Sequence, residues 1–382
     1  MTDRDYMERA IRLAERGRGW TNPNPMVGAV IVKDGRIIGE GYHARCGELH
    51  AERNAIASLT ERAEGAVMYV TLEPCCHFGR TPPCTQAILE QKIAKVVIGS
   101  KDPNPQVAGK GIRTLRQAGV EVAEGFMKEE CDSLNPVFFH YITTKTPYLV
   151  MKYAMTADGK IATKTGASKW ITGEESRALV HELRHNYMGI MAGIGTVLAD
   201  DPLLNVRTEG KKSPVRIICD SRLGIPENSQ ICQTAGEYQT VIACGEITSD
   251  MEEKEARLKD MGAKVISLPD SRGQVDLRRL MEYLGDQGLD SILLEGGARL
   301  NDSALRAGIV QEVNVFVAPK IFGGTGARTA VEGIGVRWPD EAVKLKLQKV
   351  SMTGEDILIN YKVENRLPQA EQGGEGRCSQ EL

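Results

Sequence analysis

The sequence contains no apolar run approaching the roughly 20 residues that a bilayer-spanning helix needs, so it does not read as a membrane protein. Disulfide-forming density is missing as well: nine cysteines, most of them single, are scattered over 382 residues. That excludes the framework of a small secreted domain, and the clustered cysteines are read as ligands. An excess of positive charge is also lacking. Lys and Arg stand at 19 against 18 Asp and Glu in residues 1–146, and at 29 against 33 in the remainder, giving +1 and −4. Neither half has the basic surface of a nucleic-acid binder. Nor does a G-x-G-x-x-G follow the first strand of the second half, so the standard dinucleotide fingerprint is absent there.

What remains is an ordinary globular composition, 41% hydrophobic and 26% charged, on a chain long enough for two domains. The opening MTDRDYMERAIRLAER reads as an amphipathic helix with Met7, Ala10, Ile11 and Ala14 on one face, not as a secretory signal. The expected location is the cytoplasm. Two β-rich runs around Asp34-Gly35 form a hairpin signal, and helix and strand patterns then alternate through HAERNAIASL, AVMYVTL, CTQAILEQKI, AKVVIGS, GKGIRTLRQAG and VEVAEG. This is an α/β layer pattern, closing with a helix around Lys128 to Leu134. The boundary is expected near TTKTP, giving domains 1–146 and 147–362. A second α/β series follows, with strands in YLVMKYAMT, MGIMAG, PVRIICD, TVIACG, AKVISL and SILLEGG and a helix through EESRALVHELRHN. Residues 363–382, polar and rich in Gly, Gln and Glu, read as a disordered tail.

The first chemical constellation is His50-Ala51-Glu52 with EPCCHFGRTPPC, residues Glu73 to Cys84. H-x-E followed by P-C and a further cysteine is the signature of zinc deaminases. One imidazole and two thiolates hold Zn²⁺ with a position left open, where the metal acidifies a water. A carboxylate must then move protons beside the metal without binding it, the role that falls to Glu52. His50 and Glu52 reach one centre only from the first turn of a helix, and a helix start at His50 is expected. Cys84, after Pro82-Pro83, is expected to open the next helix, where the N-terminal dipole favours a thiolate. Eight residues separate Cys75 from Cys84, against two in the short form of the pattern. Cys76 and His77 are rival ligands by spacing, and the position after Pro74 favours Cys75.

In the second half, LLEGGARLNDSAL reads as a strand, a glycine pair and a helix whose N–H groups near Gly297 and Arg299 to Ser303 suit a pyrophosphate. CDSRLGIP offers Ser221 and Arg222, residue types that accept a 2′-phosphate and favour NADP over NAD.

Together with TNPNPMVGAVIV, KDPNP, MTADGKIA, SKWIT and GIGTVLADDPLLNVR, these motifs resemble, in order and from about residue 3 to 362, the bifunctional deaminase/reductase family of bacterial riboflavin biosynthesis. The resemblance implies a cytidine-deaminase-like three-layer α/β/α domain followed by a dihydrofolate-reductase-like α/β domain. It implies Zn²⁺ on His50, Cys75 and Cys84, with proton transfer by Glu52. It further implies deaminase substrate contacts from Asn24, His43, His77, Arg80, Asp102 and Asn104; Arg80 stands where many relatives carry lysine. In the reductase half it implies sugar-phosphate contacts from Ser168, Arg184, Leu204, Arg207 and Glu295, with Lys152 nearby. NADPH contacts would come from Ala154, Trp170, Thr196, Asp200, Ser221 and the run Gly297, Ala298, Arg299, Leu300, Asn301, Asp302 and Ser303. The substrate implied is a phosphorylated pyrimidine, with no nucleic acid and no membrane as partner, and the assembly implied is a homo-oligomer.

Overall fold

The structure, a computed structural model, describes residues 1–76, 78, 82–104 and 107–364. The chain divides into two compact units, Met1–Tyr148 (with His185–Met188 and Glu282–Ile292) and the remainder.

The first unit is built on five strands: β1 (Gly28–Lys33), β2 (Arg36–Tyr42), β3 (Val67–Leu72), β4 (Lys95–Ser100) and β5 (Glu121–Glu124). They lie in the order β2-β1-β3-β4-β5. β1 runs antiparallel to β2 and β3, whereas β3, β4 and β5 are parallel. Asp34 and Gly35 both take positive φ, 51° and 73°, as a tight hairpin turn requires. Strand residues alternate between two buried faces. Val30, Val32, Tyr69 and Val97 meet Met7, Ala10 and Leu13 of the first helix, Asp3–Glu15. Ala29, Ile31, Met68, Val70, Val96 and Ile98 meet Ala51, Ala55, Ile88, Ile112 and Leu115 from helices on the other side. The result is the α/β/α sandwich implied by the resemblance. Thr2 caps the first helix, its Oγ1 accepting from Asp5 N while the Asp5 carboxylate accepts from Thr2 N.

The second sheet comprises β6 (Tyr148–Thr156), β7 (Gly189–Gly193), β8 (Val215–Cys219), β9 (Thr240–Cys244), β10 (Lys264–Ser267), β11 (Ser291–Leu294), β12 (Val310–Ala318), β13 (Leu345–Thr353) and β14 (Asp356–Val363). Their order is β10-β9-β8-β7-β11-β6-β12-β14-β13. Neighbours from β10 to β7 are parallel, as are β6 and β12, and β14 and β13 complete an antiparallel edge. Strand β9 is buried throughout, Val241, Ile242, Ala243 and Cys244 lying between its parallel neighbours β8 and β10.

Two differences from the sequence reading stand out. The first unit has a further helix, Pro136–Thr144, with its proline at the first turn, where a missing N–H costs nothing. Val363 also belongs to β14, and Glu364 N donates to Lys344 O, so the expected tail begins inside paired structure. The rest of that tail, 365–382, lies outside the described residues.

Candidate functional sites

Local structure gathers the sulfur cluster. Helix Ala51–Ala57 begins one residue later than expected, with His50 as its N-cap in extended conformation and Glu52 in its first turn. β3 ends at Leu72 and delivers Pro74-Cys75, while Cys84 is the first residue of helix Cys84–Glu90. His50 Nδ1 lies 3.5 Å from Cys75 Sγ and 3.4 Å from Cys84 Sγ, and the three ligand atoms all fall within 4.8 Å of one another. Tetrahedral zinc with ordinary Zn–N and Zn–S bonds separates such donors by about 3.5 Å, so the set fits zinc with one position free. Cys76 is not in that group, and burial pushes its thiol up.

Cys75 is held low, at about 4, first by its contact with Cys84 and then by His50, against burial. Cys84 is pushed up by its contact with Cys75 and then by burial. Glu52 is 3% exposed, and burial, followed by the neighbouring Cys75 thiolate, lifts its carboxyl to about 7. A carboxyl in that range can both take and return a proton at neutral pH.

His43 stands edge-on to His50, its ring centroid 5.4 Å away. Its Nδ1 lies 3.1 Å from Leu49 O, a carbonyl that can only accept, so Nδ1 carries the proton and Nε2 accepts from Asn24 Nδ2 at 3.4 Å. Burial pushes the His43 pKa down and keeps it neutral. Asp102, 8% exposed, accepts from Asn104 N through Oδ1 at 2.8 Å. His77 and Arg80 lie outside the described residues.

Two supporting residues escaped the sequence reading. Arg53, next to Glu52, donates from Nε to Pro82 O and from Nη2 to Pro83 O, both at 3.1 Å, and so fixes the approach to Cys84. Glu73, 4% exposed, accepts from Gly109 N at 3.0 Å and Ile112 N at 3.3 Å, and so holds helix Lys110–Gln117 beside the Pro74-Cys75 turn. Both sit inside quoted motifs, yet only folding reveals their partners.

The second unit opens a cleft of about 1260 Å³. Lys152, Ala154, Ser168, Thr196, Asp200, Ser221, Glu295 and the whole run Gly297 to Ser303 line it; Trp170, Arg184, Leu204, Arg207 and Arg222 are not among its lining residues. Gly297 caps helix Ala298–Ala307 without a side-chain hydrogen bond, leaving the first-turn N–H groups available to an anion. Ser168 Oγ donates to Asp200 Oδ1 at 2.9 Å across the cleft. Ser221 Oγ accepts from Val275 N at 3.1 Å, which ties in a segment carrying Arg272, Gln274 and Arg278, cleft residues that turn-rich sequence did not announce.

Behind this wall Arg184 grips Glu295 with two bonds, 2.6 Å from Nε and 3.0 Å from Nη2, and donates from Nη1 to Asn205 O at 3.0 Å. Lys152 Nζ approaches the same carboxylate at 3.7 Å. Burial pushes Glu295 up, but the charges of Arg184 and Lys152 outweigh it and hold the carboxyl at about 2. Burial pulls Lys152 down, opposed by Glu295. Two cations share one anion, which leaves net positive charge at the cleft wall. Trp170 is 61% exposed, with the Arg177 guanidinium 4.6 Å from its ring centre. Leu204 is buried with φ of 52°, and Arg207 is exposed beside His181.

Residues 147–359 match the family described as RibD C-terminal domain, and residues 1–100 match the cytidine and deoxycytidylate deaminase zinc-binding region. The riboflavin biosynthesis protein RibD of Actinobacillus pleuropneumoniae is 57% identical over 363 residues, covering 95% of this chain and 96% of that one. The chain belongs to the RibD family. The Escherichia coli K12 RibD is 40% identical, covering 94% of this chain and 99% of the relative. The solved Acinetobacter baumannii RibD superposes with a TM-score of 0.84 at 35% identity, over 95% and 99% of the two chains. A Thermotoga maritima structure, described as a diaminohydroxyphosphoribosylaminopyrimidine deaminase/5-amino-6-(5-phosphoribosylamino)uracil reductase, gives 0.82 at 37% identity, over 94% and 98%. As a RibD-family member the chain is a bifunctional enzyme of riboflavin biosynthesis, a zinc deaminase joined to an NADPH-dependent reductase. Both halves of the expected fold are thereby present. No helix of this RibD-family chain, among the described residues, is long and apolar enough to cross a membrane.

Proposed function

We propose that residues 1–146 hydrolytically remove the 2-amino group of 2,5-diamino-6-(ribosylamino)pyrimidin-4-one 5′-phosphate, and that residues 147–362 then reduce the ribosyl side chain with NADPH. The products are ammonia and 5-amino-6-(ribitylamino)uracil 5′-phosphate. The observation that carries this reading is the convergence of His50, Cys75 and Cys84 within 4.8 Å beside buried Glu52. The deaminase and reductase activities by which the Thermotoga maritima structure is described support the substrate.

In this reading His50, Cys75 and Cys84 hold zinc, which when bound supplies a Lewis-acidic position that acidifies water. Glu52 takes a proton from the attacking water and returns it to the departing nitrogen. Neutral His43, braced by Asn24, presents a fixed face to the pyrimidine, and Asp102, Asn104, His77 and Arg80 complete its recognition. In the second unit Lys152, Ser168, Arg184, Leu204, Arg207 and Glu295 bind the sugar phosphate. The excess of cations over Glu295 supports a phosphate monoester there. NADPH would be held by Ala154, Trp170, Thr196, Asp200, Ser221 and the Gly297 to Ser303 turn, whose open helix N-terminus suits a pyrophosphate. When bound, NADPH would supply the hydride that, with a proton going to nitrogen, reduces the C=N carbon of the opened ribosyl side chain to a methylene.

The proposed setting is the cytoplasm, because a zinc site with two thiolates requires reduced cysteines. The proposed assembly is a homo-oligomer, supported by Leu347, Val350 and Met352, which stand 54 to 65% exposed on edge strand β13. Sedimentation velocity checks it, and a monomer at micromolar concentration contradicts it.

The function is tested by incubating zinc-loaded protein with the diaminopyrimidinone ribosyl phosphate and NADPH. Ammonia, NADPH absorbance and product masses are followed together. Ammonia release and NADPH oxidation in equal amounts are expected. Ammonia without NADPH oxidation would overturn the reductase half, and NADPH oxidation without ammonia the deaminase half.

A further inference from the structure

His181 and Arg184 lie three residues apart on helix Glu174–Asn186 and so face the same way. Arg184 is committed to Glu295 and Asn205 O. Arg207, two residues beyond Asn205, has no carboxylate within ion-pair distance among the described residues. Its Nη2 lies 3.3 Å from His181 Nε2. A guanidinium has only donors, so His181 Nε2 must accept and the ring proton must sit on Nδ1. Burial, and then the charges of Arg184 and Arg207, push the His181 pKa down against the pull of Glu295, which keeps the ring neutral. Lys211, bound to Glu182 of the same helix at 3.0 Å, gives the segment a further tie to this helix. The loop is thus fastened to this helix at three points, and of its Arg207 and Lys211 cations only Arg207 is held by a neutral acceptor.

A carboxylate in that place would hold Arg207 equally well but cancel its charge. An imidazole orients the guanidinium and leaves the charge whole. We propose that His181 is a positioning residue for the reduction: it aims Arg207, through a hydrogen bond accepted on Nε2, at the phosphate monoester of the substrate without neutralising it. This rests on the reading of Arg207 as a sugar-phosphate contact.

The test is steady-state reduction by the full-length zinc-loaded enzyme, using the deaminated ribosylamino substrate as its 5′-phosphate and as the dephosphorylated nucleoside. Wild type, His181→Ala, His181→Gln, His181→Glu and Arg207→Ala are compared. His181→Ala is expected to raise KM for the phosphate about tenfold while kcat and the KM for NADPH stay within about twofold. His181→Gln, which keeps a neutral acceptor, restores most of the loss; His181→Glu does not. The dephosphorylated substrate is turned over equally by all five. Equal losses on both substrates, or no rescue by glutamine, would make His181 merely structural and overturn the proposal. If Arg207→Ala leaves the phosphate preference unchanged, the phosphate reading falls and this one with it. If Arg207→Ala abolishes the preference and His181→Ala does not affect it, only the role of His181 falls.

Discussion

At the scale of single residues, the choice between adjacent sulfurs shows what spacing conveys and what it omits. The motif EPCCHFGRTPPC leaves Cys75, Cys76 and His77 as rivals, because a spacing carries no directions. The fold supplies them: Cys75 Sγ faces His50 Nδ1 and accepts from Cys84 N at 3.3 Å, and Cys76 is outside the cluster. Replacing Cys75 with serine is expected to weaken zinc binding at least tenfold, roughly the loss that even outer ligand partners can cause. Cys76→Ser should bind zinc as wild type does. Competition with a chromogenic chelator reads both, and equal losses would contradict the assignment. Glu52 was legible from its place in the motif, whereas Arg53 and Glu73 were not. Their bonds run to backbone carbonyls and N–H groups that sequence does not mark.

At the scale of elements, the helix and strand starts that deliver the ligands were readable from Pro74, Pro82-Pro83 and the apolar periodicity. Helix Pro136–Thr144 and strands β12 to β14 were not read. For β13 the reason is physical: its residues are nearly all exposed, so burial imposes no clear pattern on it. A closer constraint acts at Gly111 in helix Lys110–Gln117. A Cβ there would meet Pro74 O at 2.2 Å, so glycine lets this helix approach the metal turn. Alanine normally favours a helix interior by up to about 1 kcal/mol, but here a backbone clash opposes it. Gly111→Ala is therefore expected to lower zinc affinity and reduce Tm by a few degrees. Calorimetry with and without zinc checks it, and an unchanged Tm and zinc affinity would show that Pro74 yields freely.

At the scale of the whole molecule, two α/β units carry unlike chemistry. The first gathers His50, Cys75 and Cys84 beside buried Glu52; the second offers a long cleft with an open helix N-terminus and surplus positive charge. The motif order exposed both units in sequence, but the size of the cleft and the segment carrying Arg272 emerge only when distant turns meet Ser221. The central claim is that the two reactions use separate machinery in one chain. Glu52→Gln tests it most directly, given in turn the diamino substrate and its deaminated counterpart with NADPH. Ammonia release from the first should fall by about 10² to 10⁴, while NADPH oxidation with the second continues at the wild-type rate. Ammonia release near the wild-type rate, or loss of NADPH oxidation with the deaminated substrate, would contradict the account.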